Sequence, residues 1–181
     1  MASLRTLINE IIDKIIINEI GEASIEPYEY EKISNTDYSF SFIFNDVFYQ
    51  SKVEFELIED DILKKYYFYK ISDYKDKDFY NVSFTINGIE NQALKSDIKT
   101  ILKIMTTLSY IVKDFIQKNN PDGLYIEATN KDLNLLTGKE QKSYLYQAYL
   151  DKQIKTLTNY KLYTIRDGFN VIKNEKIRKN N

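Results

Sequence analysis

The sequence contains no histidine, no cysteine and no tryptophan. Imidazole and thiolate groups serve most catalytic sites, because they change charge or act as nucleophiles near neutral pH. Their absence excludes His-based and Cys-based catalytic arrangements, disulfide bonds and metal sites built from those side chains. Carboxylates, tyrosine, lysine, hydroxyls and the backbone remain for chemistry. We therefore expect a protein that is not an enzyme and that has no cofactor and no bound metal.

Glycine and proline are also scarce, with 5 and 2 residues, whereas tyrosine and phenylalanine are frequent, with 16 and 10. AT-rich codons are one explanation of this bias, since lysine, asparagine and isoleucine are abundant too. Use of tyrosine in protein interfaces is the functional alternative. The net charge of -2 gives no electrostatic reason to expect nucleic acid or an anionic membrane as a partner.

No apolar run reaches the roughly 20 residues that span a membrane. Charges at Glu10 and Asp13 interrupt the first apolar run, which argues against a secretory signal and favours folding in a cytoplasm. A chain of 181 residues is long enough for one domain with its own core. We expect an N-terminal helix over residues 1–22, one domain over 23–173 and a polar, basic tail over 174–181.

The first segment has apolar residues at the spacing of an amphipathic helix. Ser3 is a suitable N-cap and Gly21 is a suitable C-terminal stop. The apolar stripe consists of Leu4, Leu7, Ile8, Ile11, Ile12 and Ile15. This stripe packs either on the domain's own sheet or on a neighbouring subunit, and we interpret it as an interface. Residues 23–35, around Pro27, are expected to form a loop or a short edge strand.

Alternation of apolar and polar residues predicts strands in the next part of the chain. Residues 38–44 form the first strand, a turn at Asn45-Asp46 follows, and residues 53–57 return. Residues 66–71 and 79–86 complete a predicted antiparallel meander of about four strands.

A helix is predicted over residues 93–118, because its apolar residues fall on one side and Pro121 prevents its continuation. A strand over 124–128, a second helix over 139–157 and a hairpin over 160–171 follow. The strand–helix–strand crossover favours one parallel pair in an otherwise antiparallel sheet. The predicted fold class is α+β. The apolar side of the first of these helices consists of Leu94, Ile98, Ile101, Leu102, Met105, Leu108, Val112, Phe115 and Ile116.

Acidic runs are the remaining candidates for metal or catalytic chemistry. The run Glu59-Asp60-Asp61 and the trio Asp73, Asp76 and Asp78 lack the glycine and the ligand spacing of a calcium loop. We interpret both as solvated loops. A glycosidase pair cannot be assigned among 27 acidic residues from spacing alone. A phosphate-binding loop needs several glycines close together, and Gly88 is the single glycine of its loop.

The order of meander, helix, strand, helix and hairpin over residues 38–173 is similar to the acyl-CoA N-acetyltransferase-like fold. In that family a glycine-rich turn after a strand holds the pyrophosphate of the cofactor with backbone N–H groups. The turn here is Asn87-Gly88-Ile89-Glu90-Asn91-Gln92-Ala93, which lacks the later glycines and places Glu90 against phosphate. The resemblance implies Tyr146 as the general acid, and the altered turn implies a degenerate enzyme. An active or degenerate acyl-CoA-dependent enzyme is the alternative function.

A second resemblance involves the segments 111–116 and 121–128, followed by Leu145-Tyr146 and Tyr160. They resemble a pattern in small virion proteins of tailed phages, with Lys142 where those proteins often have arginine. The AT-rich composition and the N-terminal helix are similar to neck and ring components of crAss-like gut phages. The resemblance implies a non-enzymatic structural protein of the head–tail neck or the tail.

That resemblance also implies partners and a location. The expected partners are portal, ring or tail proteins, and further copies of this chain in a homo-oligomeric ring. We expect the protein in the virion after assembly in the host cytoplasm. Neither a membrane nor a sequence-specific nucleic acid is expected among its partners.

Overall fold

The computed structural model describes residues 25–68, 76–87, 89–90, 98–127, 149–165 and 168–174. These ranges contain eight strands and two helices, and residues 149–154 are helical as well. The elements are β1 (Tyr30–Lys32), β2 (Asp37–Phe44), β3 (Val47–Leu57), α1 (Asp61–Tyr67), β4 (Phe79–Ile86), β5 (Ile89–Glu90), α2 (Ile98–Asn119), β6 (Gly123–Glu127), β7 (Tyr160–Ile165) and β8 (Gly168–Lys173).

The strands form one sheet in the order β1-β2-β3-β4-β6-β8-β7, and β5 pairs with the end of β4. Every pair is antiparallel except β4 and β6, which run parallel. Parallel neighbours need a long connection, and α2 supplies it. The predicted α+β class, the mostly antiparallel mixed sheet and the parallel crossover pair are confirmed. The edge strand expected near Pro27 is β1.

The hairpin of β2 and β3 follows the sequence pattern closely. Tyr38, Phe40 and Phe42 are buried on one side of β2, as period-two alternation requires. The turn residues Asn45 and Asp46 both have positive φ angles, 49° and 60°. Two consecutive left-handed residues are typical of the tight turn that matches the twist of two antiparallel strands. The predicted turn is therefore confirmed.

The strand predicted over residues 66–71 is wrong in its described part, because Asp61–Tyr67 is the helix α1. The Asp60 carboxylate accepts hydrogen bonds from the backbone N–H groups of Ile62 and Leu63, at 2.6 and 3.2 Å. An N-cap of this kind satisfies amide groups that have no partner inside the helix. The acidic run was interpreted as a solvated loop, and one of its members instead starts a helix.

One face of the sheet, which we call the α2 face, carries the larger core. Phe115 of α2 stacks on Phe55 of β3 with ring centroids 3.7 Å apart. Several residues on the predicted apolar side of α2, including Leu102, are buried, so the prediction of this side is confirmed for them. Ile104 and Ile111 are buried as well, because α2 buries a wider arc than one stripe. The other buried members of this core include Val53, Val82, Ile86, Leu108, Val112, Ile116, Leu124, Ile126, Leu150, Ile154, Phe169 and Val171.

The opposite face, which we call the α1 face, has a smaller core beneath the end of α1. Its buried members are Ile58, Phe68, Phe79 and Tyr125. Phe68 packs on Phe79 with ring centroids 4.3 Å apart. A Cβ atom at Gly123 would lie 2.9 Å from both of these rings, so glycine is needed for this close approach. No residue within α1 itself is buried.

The helix α2 ends close to its predicted boundary. Its last residue is Asn119, and Asn120 takes a positive φ of 50° before Pro121. The second predicted helix, over 139–157, is described only from residue 149 and is helical as far as residue 154. Tyr149, Leu150 and Ile154 of this stretch are buried. No helix in the described ranges is long and apolar enough to cross a membrane.

Several predictions fall outside the described residues. These are the N-terminal helix with its interface residues Leu4, Leu7, Ile8, Ile11, Ile12 and Ile15, and the acidic residue Asp73. Leu145, Tyr146 and residues 175–181 of the tail also lie there. The division of the chain at residues 22 and 173 stays a prediction.

Candidate functional site

A gap opens in the sheet between β4 and β6. The two strands pair only from Phe79 with Gly123 to Val82 with Ile126. Further along the same edge of β4, Thr85 and Ile86 pair with β5 instead. Ser83 and Phe84 therefore have no strand partner on this edge within the described ranges. Strands that separate in this way leave space between two elements of the core.

A cavity of about 80 Å³ lies at this gap, which is room for several water molecules. Its walls come from three elements of the sheet, from α2 and from residues at the start of the stretch 149–154. The apolar lining residues are Val53, Val82, Phe84, Met105, Leu108, Val112, Ile126 and Leu150. The polar lining residues are Asn81, Ser83, Ser109, Glu127 and Tyr149.

Helical spacing explains the α2 wall of the cavity. The residues three, four and seven positions after Met105 lie on the same side of a helix as Met105. One stripe of α2 therefore contains Met105, Leu108, Ser109 and Val112. The hydroxyl of Ser109 donates to the carbonyl oxygen of Thr106 at 2.8 Å. A hydroxyl that donates to a carbonyl oxygen of its own helix keeps a hydrogen-bond partner when it is buried. The stripe therefore acts as a mostly apolar wall.

The sheet contributes both apolar and polar groups, because alternate residues of β4 point to opposite faces. Val82 and Phe84 belong to the α2 face, whereas Asn81 and Ser83 belong to the α1 face. The side-chain oxygen Oδ1 of Asn81 is buried and has no hydrogen-bond partner among the described residues. Such an acceptor is suited to a bound molecule that carries an N–H or O–H donor.

Asn81 begins a polar row on the α1 face. It lies opposite Tyr125 of β6, which in turn lies opposite Asn170 of β8. Asn170 is fully buried, and its side-chain amide donates to the carbonyl oxygen of Tyr67 at 2.7 Å. Tyr67 also stacks on Tyr125, with ring centroids 4.1 Å apart. Asn170 and Tyr125 thus tie the end of α1 to β8 and β6 beside the cavity.

The groups with shifted pKa values lie away from the cavity. Burial, followed by the hydrogen bond to Asp114, raises the pKa of Tyr38 far above its ordinary value. The Tyr38 hydroxyl donates to Asp114 Oδ2 at 2.9 Å, and Lys118 Nζ donates to the same oxygen at 2.6 Å. A general acid or base at neutral pH needs a pKa near 7. This trio therefore serves to join β2 to α2.

Two exposed apolar patches form a different kind of candidate site. The tip patch consists of Ile43 and Phe48, which lie opposite each other at the end of the β2–β3 hairpin, and the α1 patch consists of Ile62, Leu63 and Tyr66. Five of the nine large apolar side chains that are exposed in the described ranges belong to these patches. Exposed apolar clusters are typical of surfaces that bind other proteins.

The residues singled out from the sequence are only partly brought into a site. The turn compared with the pyrophosphate cradle closes a hairpin, since Ile86 pairs with Ile89 and Thr85 with Glu90. The Asn87 side chain accepts a hydrogen bond from the backbone N–H of Gln50 at 3.0 Å, which fastens this hairpin to β3. Tyr146, Gly88 and the side chain of Glu90 lie outside the described residues.

Members of both acidic runs have structural roles. Asp60 caps α1, and Asp78 donates its backbone N–H to the Asp122 carboxylate at 3.0 Å. Within the described ranges, acidic residues do not gather into a group of three that could hold a metal ion.

Sequence reasoning missed both the cavity and the two patches. The cavity has no local signal, because it results from the length over which β4 and β6 pair. The tip patch has one: Ile43 and Phe48 are apolar at positions where the neighbouring Ser39, Ser41 and Gln50 are polar. Two apolar residues on the polar side of a strand pair indicate an exposed apolar surface.

Comparison with known proteins gives no match to a family model, to a curated protein or to a solved structure.

Proposed function

We propose that this protein is a non-enzymatic structural component of a tailed-phage particle, in the neck or the tail. It acts by binding other proteins of the particle and further copies of itself. The proposal joins the resemblance of segments 111–116 and 121–128 to small virion proteins with the surface of the domain. No chemical step is required of it in this role.

The observation that carries the proposal is the exposure of the tip patch and the α1 patch. Ile43 and Phe48 are 69% and 62% exposed, and they lie directly opposite each other in the hairpin. Ile62 and Tyr66 are 77% and 69% exposed, and they are one helical turn apart. Burial of each such side chain in an interface is worth roughly 1.5–3 kcal/mol. A protein that assembles gains this energy, and an isolated domain does not.

Particle composition tests the proposal. We expect the chain in particles of the encoding phage after purification by density gradient, at a fixed number of copies per particle. Quantitative mass spectrometry of peptides from this chain, compared with a major capsid protein, measures that number. A constant ratio across preparations supports a structural role. Absence from purified particles, while the protein is abundant in infected cells, contradicts it.

A second candidate function is the binding of a molecule with an acyl chain, as in acyl-CoA-dependent enzymes. The specific observation that favours it is the cavity at the gap between β4 and β6. The resemblance of the element order over residues 38–173 to the acetyltransferase-like fold also motivates this candidate. The apolar wall suits an alkyl or acyl chain, and Asn81 is one of the polar residues that line the cavity. The β4–β5 hairpin counts against binding of a pyrophosphate at that turn.

Titration calorimetry with acetyl-CoA separates the two candidates. Micromolar binding that is lost in Ser83→Leu, which fills the cavity, would support the acyl-binding function. Thr85→Leu is the matched control, because Thr85 lies two residues further along β4 and does not line the cavity. Absence of heat with the unmodified chain, or equal binding by both variants, would contradict this second candidate.

A further inference from the structure

We propose that copies of this chain bind head to tail, with the tip patch of one copy docked on the α1 patch of the next. This inference deepens the proposed assembly function and rests on it. The occupant of each patch is thus a second copy of the same chain, and the contact is formed by two different surfaces.

The positions of the two patches favour a contact between different copies. The tip patch lies at the start of β3, and α1 follows the other end of that strand. Nine residue steps separate Phe48 from Leu57, which is about 30 Å at the rise of a β-strand. Two matched apolar surfaces at opposite ends of one domain cannot meet within a single copy. They can meet between successive copies.

The charges next to the patches favour unlike surfaces over like ones. Asp46 is the one charged residue between positions 38 and 51, and it lies in the turn between the residues of the tip patch. Lys64 and Lys65 are the charged residues between positions 62 and 68. A contact between two tip patches places like charges together, and so does a contact between two α1 patches. The head-to-tail contact places Asp46 beside Lys65, since Lys64 already pairs with Asp61 and donates to the carbonyl oxygen of Lys77.

The acidic residues near α1 already have partners within the domain. Asp60 is engaged as the N-cap of α1, and Asp61 forms an ion pair with Lys64 at 3.8 Å. Both lie at the N-terminal end of the helix, whereas Tyr66 and Lys65 lie in its last turn. Asp46 is therefore best matched to the C-terminal end of α1.

A head-to-tail contact has a consequence for the assembly. Because its two sides differ, each copy keeps one free surface after binding, and further copies add until a ring closes or a filament grows. A contact between identical surfaces stops at a dimer. The inference thus predicts oligomers larger than two.

Two single variants and their mixture test the inference with the full chain. Phe48→Lys disrupts the tip patch and adds repulsion against Lys65, and Ile62→Lys disrupts the α1 patch. Size-exclusion chromatography with light scattering gives the mass of each sample. We expect the unmodified chain to form oligomers and each variant to be monomeric, with at least a tenfold weaker association. An equimolar mixture should give a heterodimer, because one intact tip patch meets one intact α1 patch and no further contact is available.

Ile33→Lys is the control, since Ile33 is also exposed, at 58%, and lies outside both patches. It should assemble like the unmodified chain. Circular dichroism checks that each variant folds, and Ile43→Lys and Tyr66→Lys replace any variant that does not. A monomeric unmodified chain, a monomeric mixture, or normal assembly of either patch variant would overturn the inference. So would loss of assembly in the control.

The chromatography experiment and the analysis of purified particles can fail independently of each other. A chain that is present in virions but monomeric alone would leave the structural role intact and refute the head-to-tail contact. A chain that forms oligomers through these patches but is absent from virions would refute the structural role alone.

Discussion

The two faces of the sheet are built differently, although the same strands form both. The α2 face is closed by a helix of 22 residues and by aromatic rings that stack on one another, such as Phe55 and Phe115. The α1 face has four buried residues in its core, a polar row beside them and an exposed apolar hairpin tip. The first face therefore stabilises the domain, and the second presents most of the groups available for binding.

The difference shows that stability and surface chemistry are separated across the sheet. Changes on the α2 face should affect folding as a whole. Changes on the α1 face should have local effects on α1 or on binding. Each expectation can be tested with a single substitution.

The largest effect is expected for Phe115→Ala. Phe115 is fully buried and contacts both Phe55 and Tyr80. Truncation of such a ring should lower the free energy of unfolding by about 3–5 kcal/mol. Urea denaturation measures the change. Tyr110→Ala, on the exposed side of the same helix, should cost less than about 1 kcal/mol. A small cost for Phe115→Ala would show that the α2 face does not dominate stability.

A smaller and more local effect is expected for Phe68→Ala. Phe68 anchors α1 through Phe79, and no residue within α1 is buried. Loss of the ring should lower the free energy of unfolding by about 3 kcal/mol, which is the lower end of the range for Phe→Ala changes. The loss is small because α1 can unfold locally while the rest of the domain stays folded. Amide hydrogen exchange should show lost protection in α1 and retained protection in α2. Equal loss in both helices would contradict the separation of the two faces.

Tyr38→Phe tests the polar contact at the edge of the α2 face. Loss of the hydrogen bond to Asp114 should cost about 1.5 kcal/mol. Burial raises the pKa of Tyr38 in the folded state, so its protonated form stabilises the fold. That contribution is complete below the unfolded pKa of about 10 and declines as the pH rises toward the folded pKa.

Denaturation at pH 8 and above pH 10 measures this dependence. The unmodified chain should lose more stability than Tyr38→Phe over that interval. Tyr30 and Tyr80 also have raised pKa values, chiefly through burial, so part of the decline should persist in the variant. An identical decline in both proteins would show that Tyr38 does not contribute to it.

The smallest effect on stability is expected for a change at Asp37, the first residue of β2. The hydrogen bond from the Ser34 hydroxyl, with a further contribution from Lys52, lowers the pKa of this carboxylate. Its contribution is present above the unfolded pKa near 3.9 and is lost as the pH falls through the folded pKa. Because solvent still reaches this half-buried side chain, Asp37→Asn should change stability at pH 7 by only a few tenths of a kcal/mol. Ser34→Ala should reproduce part of this change in acid titrations.

Much of the fold could be predicted because its signals are local. Alternation placed β2, β3 and β4, and Pro121 fixed the end of α2. Within the described residues, the strand predicted from Tyr66 is wrong, because Tyr66 and Phe68 have the spacing of a strand but Asp61–Tyr67 is helical. The capping role of Asp60 was not recognised, although an acid before an apolar pair is a known helix start.

The candidate sites were less predictable for a physical reason. The cavity depends on where β6 stops pairing with β4, which no residue of either strand encodes alone. The polar row exists because β4, β6 and β8 are neighbours, although Asn81 and Asn170 are far apart in the sequence. Only the apolar residues of the hairpin tip had a signal in the sequence itself.

The sequence by itself determined the fold class, the crossover and most strand boundaries, because periodicity, turns and prolines act over a few residues. It also determined which reactive groups are missing. Tertiary structure alone decided which face of the sheet is closed, where the gap opens, and that two apolar patches lie at opposite ends of one domain. These features depend on strand order and register, which arise from contacts between residues distant in the chain.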